Sequence, residues 1–259
     1  MTAPFGLQIV FYLFLAGVAA GSALVAGFSL SNSRDAEFHT SQHPGKRALI
    51  IALTAMTLGI VFLIADLAKP SEFFLILTKA NPLSAIAWGA RIVTSFFLVT
   101  LLCWALFRGK ATGDNTFLET SALWLLRFLA LALAIYPGFV LLQGDANQLW
   151  QSWIIIPLIA ISGIHAGFAA CNLWRSQRRR GLPGPVIERG LTILLLFLTI
   201  LFLILQEVSP LGLAGVFLLT GVLLPLFLSG KAAVLTSLSV LTGSFILRAW
   251  LIQEGQALF

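Results

Sequence analysis

Asp66, Arg91 and the chain's two tyrosines, Tyr12 and Tyr136, are the residues best suited to chemistry. A carboxylate can take up a proton, a guanidinium can stabilise negative charge, and a phenol can donate or accept a hydrogen bond. Their setting makes them conspicuous. The 259 residues are 59% hydrophobic and 10% charged, with a mean hydropathy of +0.97. In such a chain an ionisable group at the edge of an apolar run is a functional candidate by default. Asp66 and Arg91 bracket a polar, proline-marked crossing, D-L-A-K-P-S-E-F-F-L-I-L-T-K-A-N-P-L-S-A-I-A-W-G-A-R, between two such runs.

The elements that must hold these groups are membrane helices. Apolar runs of roughly 20 residues, enough for a ~30 Å hydrocarbon core, fall at about 7–30, 48–67, 84–107, 121–143, 149–174, 190–206, 210–228 and 232–252. The runs are continuous and do not alternate, which argues against strands. We therefore expect one all-α integral membrane domain over residues 1–259, with eight transmembrane helices. The first run is too long for a removable signal and lacks a basic leading segment, so it reads as a retained helix.

Lysine and arginine set the expected orientation. Arg34, Lys46 and Arg47, then Arg108 and Lys110, then Arg175, Arg178, Arg179, Arg180 and Arg189, then Lys231 all fall in loops on one side. The opposite loops offer Lys69 and Lys79, then Asp145, then Glu207. Both termini are accordingly expected on the outer, periplasmic side of a bacterial inner membrane. The net charge of +6 follows from this topology. The Arg178–Arg180 run is then a headgroup-facing loop, and no nucleic-acid partner is implied.

Other residues exclude chemistries. Cys103 and Cys171 are two cysteines in separate spans, too few for an iron–sulfur cluster or a cysteine-based zinc site. They read as small buried apolar residues, and no metal ligand set is expected. His39 and His43 lie in a basic loop, which leaves His165 as the intramembrane histidine. A bis-histidine haem needs two. G-V-A-A-G at Gly17–Gly21 is a small-xxx-small signature of close helix packing, with no phosphate-binding context.

On this topology the polar groups crowd into one leaflet. Gln8 and Tyr12 sit at the outer end of helix 1, Asp66 at the outer end of helix 2, and Arg91 one to two turns into helix 3. Tyr136 and Gln143 occupy the outer half of helix 4, where Pro137 and Gly138 suggest a break. Such a cleft suits a quinone head, whose carbonyls want donors and whose quinol hydroxyls want acceptors. Each group also has a plainer reading. Asp66 and Arg91 could form a helix clamp, and either tyrosine alone could be an interfacial anchor. Asp66, Arg91, His165 and Glu207 form a candidate proton path.

Five segments resemble the NrfD/PsrC family, the membrane subunits of polysulfide-reductase-like complexes. They are F-L-A-G-V-A-A-G-S-A in helix 1, Asp66–Pro70, N-P-L-S-A-I-A-W-G at Asn81–Gly89, Y-P-G with Leu149-Trp150, and the ending from Leu241 through Arg248 to Gln256. The resemblance implies a haem-free, cluster-free module of two four-helix bundles that reacts with menaquinone or ubiquinone. It also implies a ferredoxin-like four-cluster iron–sulfur partner and a catalytic molybdopterin or multihaem subunit. Tyr136 takes the place of the family's quinone-contacting tyrosine, and Asp66 falls where the family has an acidic residue. Together they are the expected catalytic pair, with Gln8, Tyr12 and Arg91 as further quinone contacts. Helix 1 departs from members that carry histidine and asparagine where this chain has Tyr12 and Gln8 or Ile9. The partner is expected over loops 68–83 and 144–148 and the region of Glu207. The alternatives are an ion- or proton-translocating module or transporter, and a purely structural anchor.

Overall fold

The computed structural model describes residues 6–31, 43–66, 85–108, 116–143, 148–173, 185–206, 212–228 and 233–256. They form α1 (Leu7–Ser31), α2 (Pro44–Asp66), α3 (Ala85–Arg108), α4 (Phe117–Leu142), a 3-10 turn (Gln148–Gln151), α5 (Ile155–Leu173), α6 (Pro185–Leu205), the composite α7, and α8 (Ala233–Gln256). α7 joins Leu213–Phe217 and Leu224–Leu228 through a π-helical turn at Leu218–Leu223. No strand occurs among the described residues. Seven of these helices are long and apolar enough to cross a membrane, and the remaining apolar stretch, Leu213–Phe227, is shorter. Lipid-facing rings such as Phe117, Phe128 and Trp124 remain exposed on the surface.

Several boundaries differ from the hydropathy reading, each for a local reason. α2 starts earlier than expected, because Pro44 opens the helix and the Nδ1 of His43 accepts the Gly45 N–H at 3.2 Å. α4 also starts earlier. Thr116 and Glu119 form a capping box, with Thr116 N–H on the Glu119 carboxylate at 2.7 Å and Glu119 N–H on Thr116 Oγ1 at 3.4 Å. α5 starts later, since the chain first makes the 3-10 turn, pinned by Trp150 Nε1 donating to the Leu251 carbonyl at 2.9 Å. The expected break at Pro137 is corrected: α4 stays helical through it. Pro137 and Gly138 are buried there, and an added Cβ on Gly138 would stand 2.6 Å from Ile156 Cα, so packing on α5 holds the turn in line.

Many hydroxyl side chains in the helices bond back onto their own helix. Thr54, Thr57, Thr94, Thr100, Thr199 and Thr220 each donate to the carbonyl four residues back, at 2.6–2.8 Å. Such hydroxyls present little polarity to lipid.

α1 is the central helix, in contact with α2, α4, α5 and α8. Its crossing with α5 is a meeting of backbones. A Cβ on Gly17 would stand 2.9 Å from Gly163 Cα, and one on Gly21 would stand 2.8 Å from Gly167 Cα. The small-residue spacing read in α1 is thus matched by G-I-H-A-G in α5, and Ser22 Oγ donates to the Gly167 carbonyl at 3.3 Å. One cluster of buried side chains gathers around α1–α4 and reaches into α5 and α8. A second, with Trp150, Phe202, Phe217 and Trp250, gathers around α5–α8.

Candidate functional site

Tyr12 and Tyr136 meet. Gln8 and Tyr12 are four residues apart on α1 and so share a face, and the Tyr12 hydroxyl hydrogen-bonds to that of Tyr136 on α4. Tyr12 is 3% exposed and Tyr136 is half-buried. The ring of Tyr136 lies on α3 at Gly89, where a Cβ would come within 2.6 Å of Cε2. Only glycine admits the ring at that height. On the other side, Gly59 of α2 faces the Tyr12 ring, and a methyl added there would stand 3.7 Å from Cδ2. Four helices therefore frame the pair.

The two hydroxyls offer two O–H donors but share one hydrogen bond. Among the described residues neither makes another, so one phenolic proton finds no acceptor among them. In a membrane interior an idle donor is costly, and a ligand carbonyl would satisfy it.

Asp66 ends α2 beside the first turn of α1. Its carboxylate accepts the backbone N–H of Gly6, and the side-chain oxygen of Gln8 lies against the same glycine. Asp66 is half-buried and Gln8 exposed, so both stand at the mouth of the bundle, where α1 begins and α2 ends. One turn deeper, Phe62 stacks on Phe11 with ring centroids 5.0 Å apart, and Phe11 also meets Phe245 of α8. Three aromatic rings thus gather about one turn below Asp66.

The remaining expected residues lie elsewhere. Arg91 stacks over Trp88 at 5.5 Å, and among the described residues no ion pair joins it to Asp66. Trp88 is 55% exposed and Arg91 half-buried. His165 is buried between α5 and α6, its Nε2 3.3 Å from Thr192 Oγ1. Glu207, the Arg178–Arg180 run and nearly all of the 68–83 and 144–148 loops lie outside the described residues. No group of three or more potential metal ligands occurs among the described residues.

Sequence reasoning missed Arg248. It is 2% exposed, with Nε donating to the Leu13 carbonyl at 3.0 Å and Nη1 donating to the Ser162 hydroxyl at 3.1 Å and the Ser244 hydroxyl at 2.6 Å. The signal that could have found it was the Ser244-to-Arg248 spacing of one helical turn inside a membrane span.

The match to the family described as "Polysulphide reductase, NrfD" covers residues 1–182. The chain belongs to the NrfD family. That stretch contains both tyrosines, Asp66, Arg91 and the whole α1–α5 crossing, whereas Arg248 lies beyond it. With its apolar helices, this NrfD-family chain is a multi-pass membrane protein. It is similar to the C component of the polysulfide reductase of Wolinella succinogenes, with 27% identity over 62% of this chain and 55% of the relative. The C component of the tetrathionate reductase of Salmonella typhimurium shows 28% identity over 72% of this chain and 52% of the relative. The C component of the selenate reductase of Mesobacillus selenatarsenatis shows 30% identity over 40% of this chain and 24% of the relative. The chain thus spans about half, or less, of the length of these NrfD-like relatives, each of them one component of a reductase.

Proposed function

We propose that this chain is a haem-free, quinone- or quinol-reactive membrane subunit of a bacterial respiratory oxidoreductase. It exchanges electrons between the menaquinone or ubiquinone pool and a ferredoxin-like iron–sulfur subunit, itself joined to a molybdopterin or multihaem catalytic subunit. The observation that carries this reading is the tyrosine pair, framed by four helices, in which two O–H donors share one hydrogen bond among the described residues. A quinone supplies two-electron, two-proton redox chemistry when bound. The chain's residues fit it: a phenol to hold a carbonyl, aromatic and aliphatic walls, and a carboxylate at the mouth to exchange protons with water.

In this reading Tyr136, seated on Gly89, orients the head, and Tyr12 holds Tyr136 in place. Asp66 takes or gives protons at the mouth, with Gln8 beside it. Arg91 serves the rim through Trp88, and His165 belongs to the α5–α6 half as a candidate proton relay with Glu207. The eight spans are completed by α7 and arranged as two four-helix bundles with both termini periplasmic. The partner docks on the tyrosine side, over loops 68–83 and 144–148, so that its cluster lies near the head without any relay in this chain.

The test is quinol-linked turnover of the assembled complex carrying Tyr136→Phe or Asp66→Asn. Each is expected to slow turnover more than tenfold, a loss of about 1.4 kcal/mol or more of transition-state stabilisation. Turnover with an artificial electron donor to the catalytic subunit should stay unchanged. Normal quinol kinetics in both variants would sink the assignment.

A further inference from the structure

Arg248 is tied to the same turn of α1 that carries Tyr12. The carbonyl it holds at 3.0 Å belongs to Leu13, the next residue. From α8 the side chain reaches across to α1 and α5, and its Nη2 lies against Gly17 and Gly163. The glycines of the α1–α5 crossing are what make room for it. Its hydrogen-bond partners are all neutral: the Leu13 and Ser244 carbonyls and the Ser162 and Ser244 hydroxyls.

A buried guanidinium is normally matched by a carboxylate, because leaving its charge uncompensated in a low-dielectric interior is costly. Here no acid fills that role among the described residues. On α1 the nearest titratable group is Tyr12. On α5, His165 is turned to Thr192 of α6. On α8, Glu254 is exposed, more than a turn away. A neutral amide could make several of the same hydrogen bonds, so the clamp alone does not account for a cation.

We propose that Arg248 is a positioning residue that also gives the tyrosine-pair site a fixed positive charge, so that the site prefers a ligand head bearing negative charge on its oxygens. The proposal rests on the quinone reading above. With no counter-ion among the described residues and packed helices around it, the charge acts over a longer range than it would in water. It favours developing negative charge on the head oxygens as a bound quinol releases its protons.

The test compares two probes on the assembled complex. One is a 2-hydroxy-3-alkyl-1,4-naphthoquinone, anionic at neutral pH; the other is its neutral 2-methoxy ether. Arg248→Gln should weaken the hydroxy probe about tenfold while leaving the ether within twofold, and Arg248→Lys should keep the preference for the anion. Ser244→Asp guards against a folding failure. It puts a carboxylate where the Ser244 hydroxyl accepts from the intact arginine, neutralises the charge while leaving the Leu13 and Ser162 acceptors in place, and should weaken the hydroxy probe as Arg248→Gln does. An unchanged ratio of the two affinities in Arg248→Gln or Ser244→Asp would overturn the proposal, as would equal weakening of both probes. If neither probe binds the unaltered complex, the quinone reading falls first and this one with it.

Discussion

The mouth-side tyrosine pair and the α1–α5–α8 junction are both polar, yet they use polarity in opposite ways. At the junction Arg248 is fully buried and most of its donors are committed to fixed backbone and serine oxygens at 2.6–3.1 Å. At the pair, two hydroxyls share a single hydrogen bond among the described residues, one donor more than that bond uses. The bonds of the junction tie three helices together, whereas the spare hydroxyl capacity of the pair is what the proposed quinone would use. Glycine serves both regions differently. Gly17, Gly21, Gly163 and Gly167 let two backbones touch, while Gly89 lets a ring approach a helix closely.

The strongest way to break the comparison is at the junction. Gly167→Leu should abolish accumulation of the folded subunit, because its side chain would meet the backbone of Gly21 and Ser22, which cannot yield as a flexible side chain would. Immunodetection in membranes checks this, and normal levels would mean that the crossing is looser than described. Next in size, Tyr12→Phe should fall between wild type and Tyr136→Phe in quinol turnover. The double variant should be no worse than Tyr136→Phe alone, since the two hydroxyls act as a unit. Strict additivity would separate them.

Gly89→Ala tests the seat of the ring. We expect a several-fold rise in KM for quinol with wild-type assembly, because the methyl displaces Tyr136 without removing its hydroxyl. An unchanged KM would show that the ring has another resting place. Smallest of all, Thr116→Ala removes the α4 cap and should cost about 1 kcal/mol of stability, read as a lower melting temperature of the purified complex. Turnover should be unaffected, which would set a purely structural change against the site variants.

Much of this was legible in the sequence, because membrane helices announce themselves by length and apolarity. The tyrosines were found because the chain has so few, and helix register placed them at matching depth. Gly17 and Gly21 gave away the crossing, although not the partner helix. Side-chain direction was less legible. Arg91 turned to Trp88 and away from Asp66, a choice that depends on the rotation of α3. Pro137 did not break α4, because tertiary packing restrained the turn that local propensity would loosen. The irregular turn occurs instead at Leu218–Leu223, in L-L-T-G-V-L, where the lone Gly221 gives little local warning. Arg248 was hidden by its position near the end of the last apolar run, where an arginine ordinarily reaches for headgroups.

If α7 spans the membrane as proposed, its length matters to the surrounding lipid. The fifteen described residues Leu213–Phe227 rise about 23 Å as a helix, against a hydrocarbon thickness of about 30 Å. A span of that length would oblige the bilayer to thin, or the helix ends to draw headgroups inward, beside α8. Bilayers of shorter-chain lipids should then accommodate the subunit with less elastic strain than thick ones.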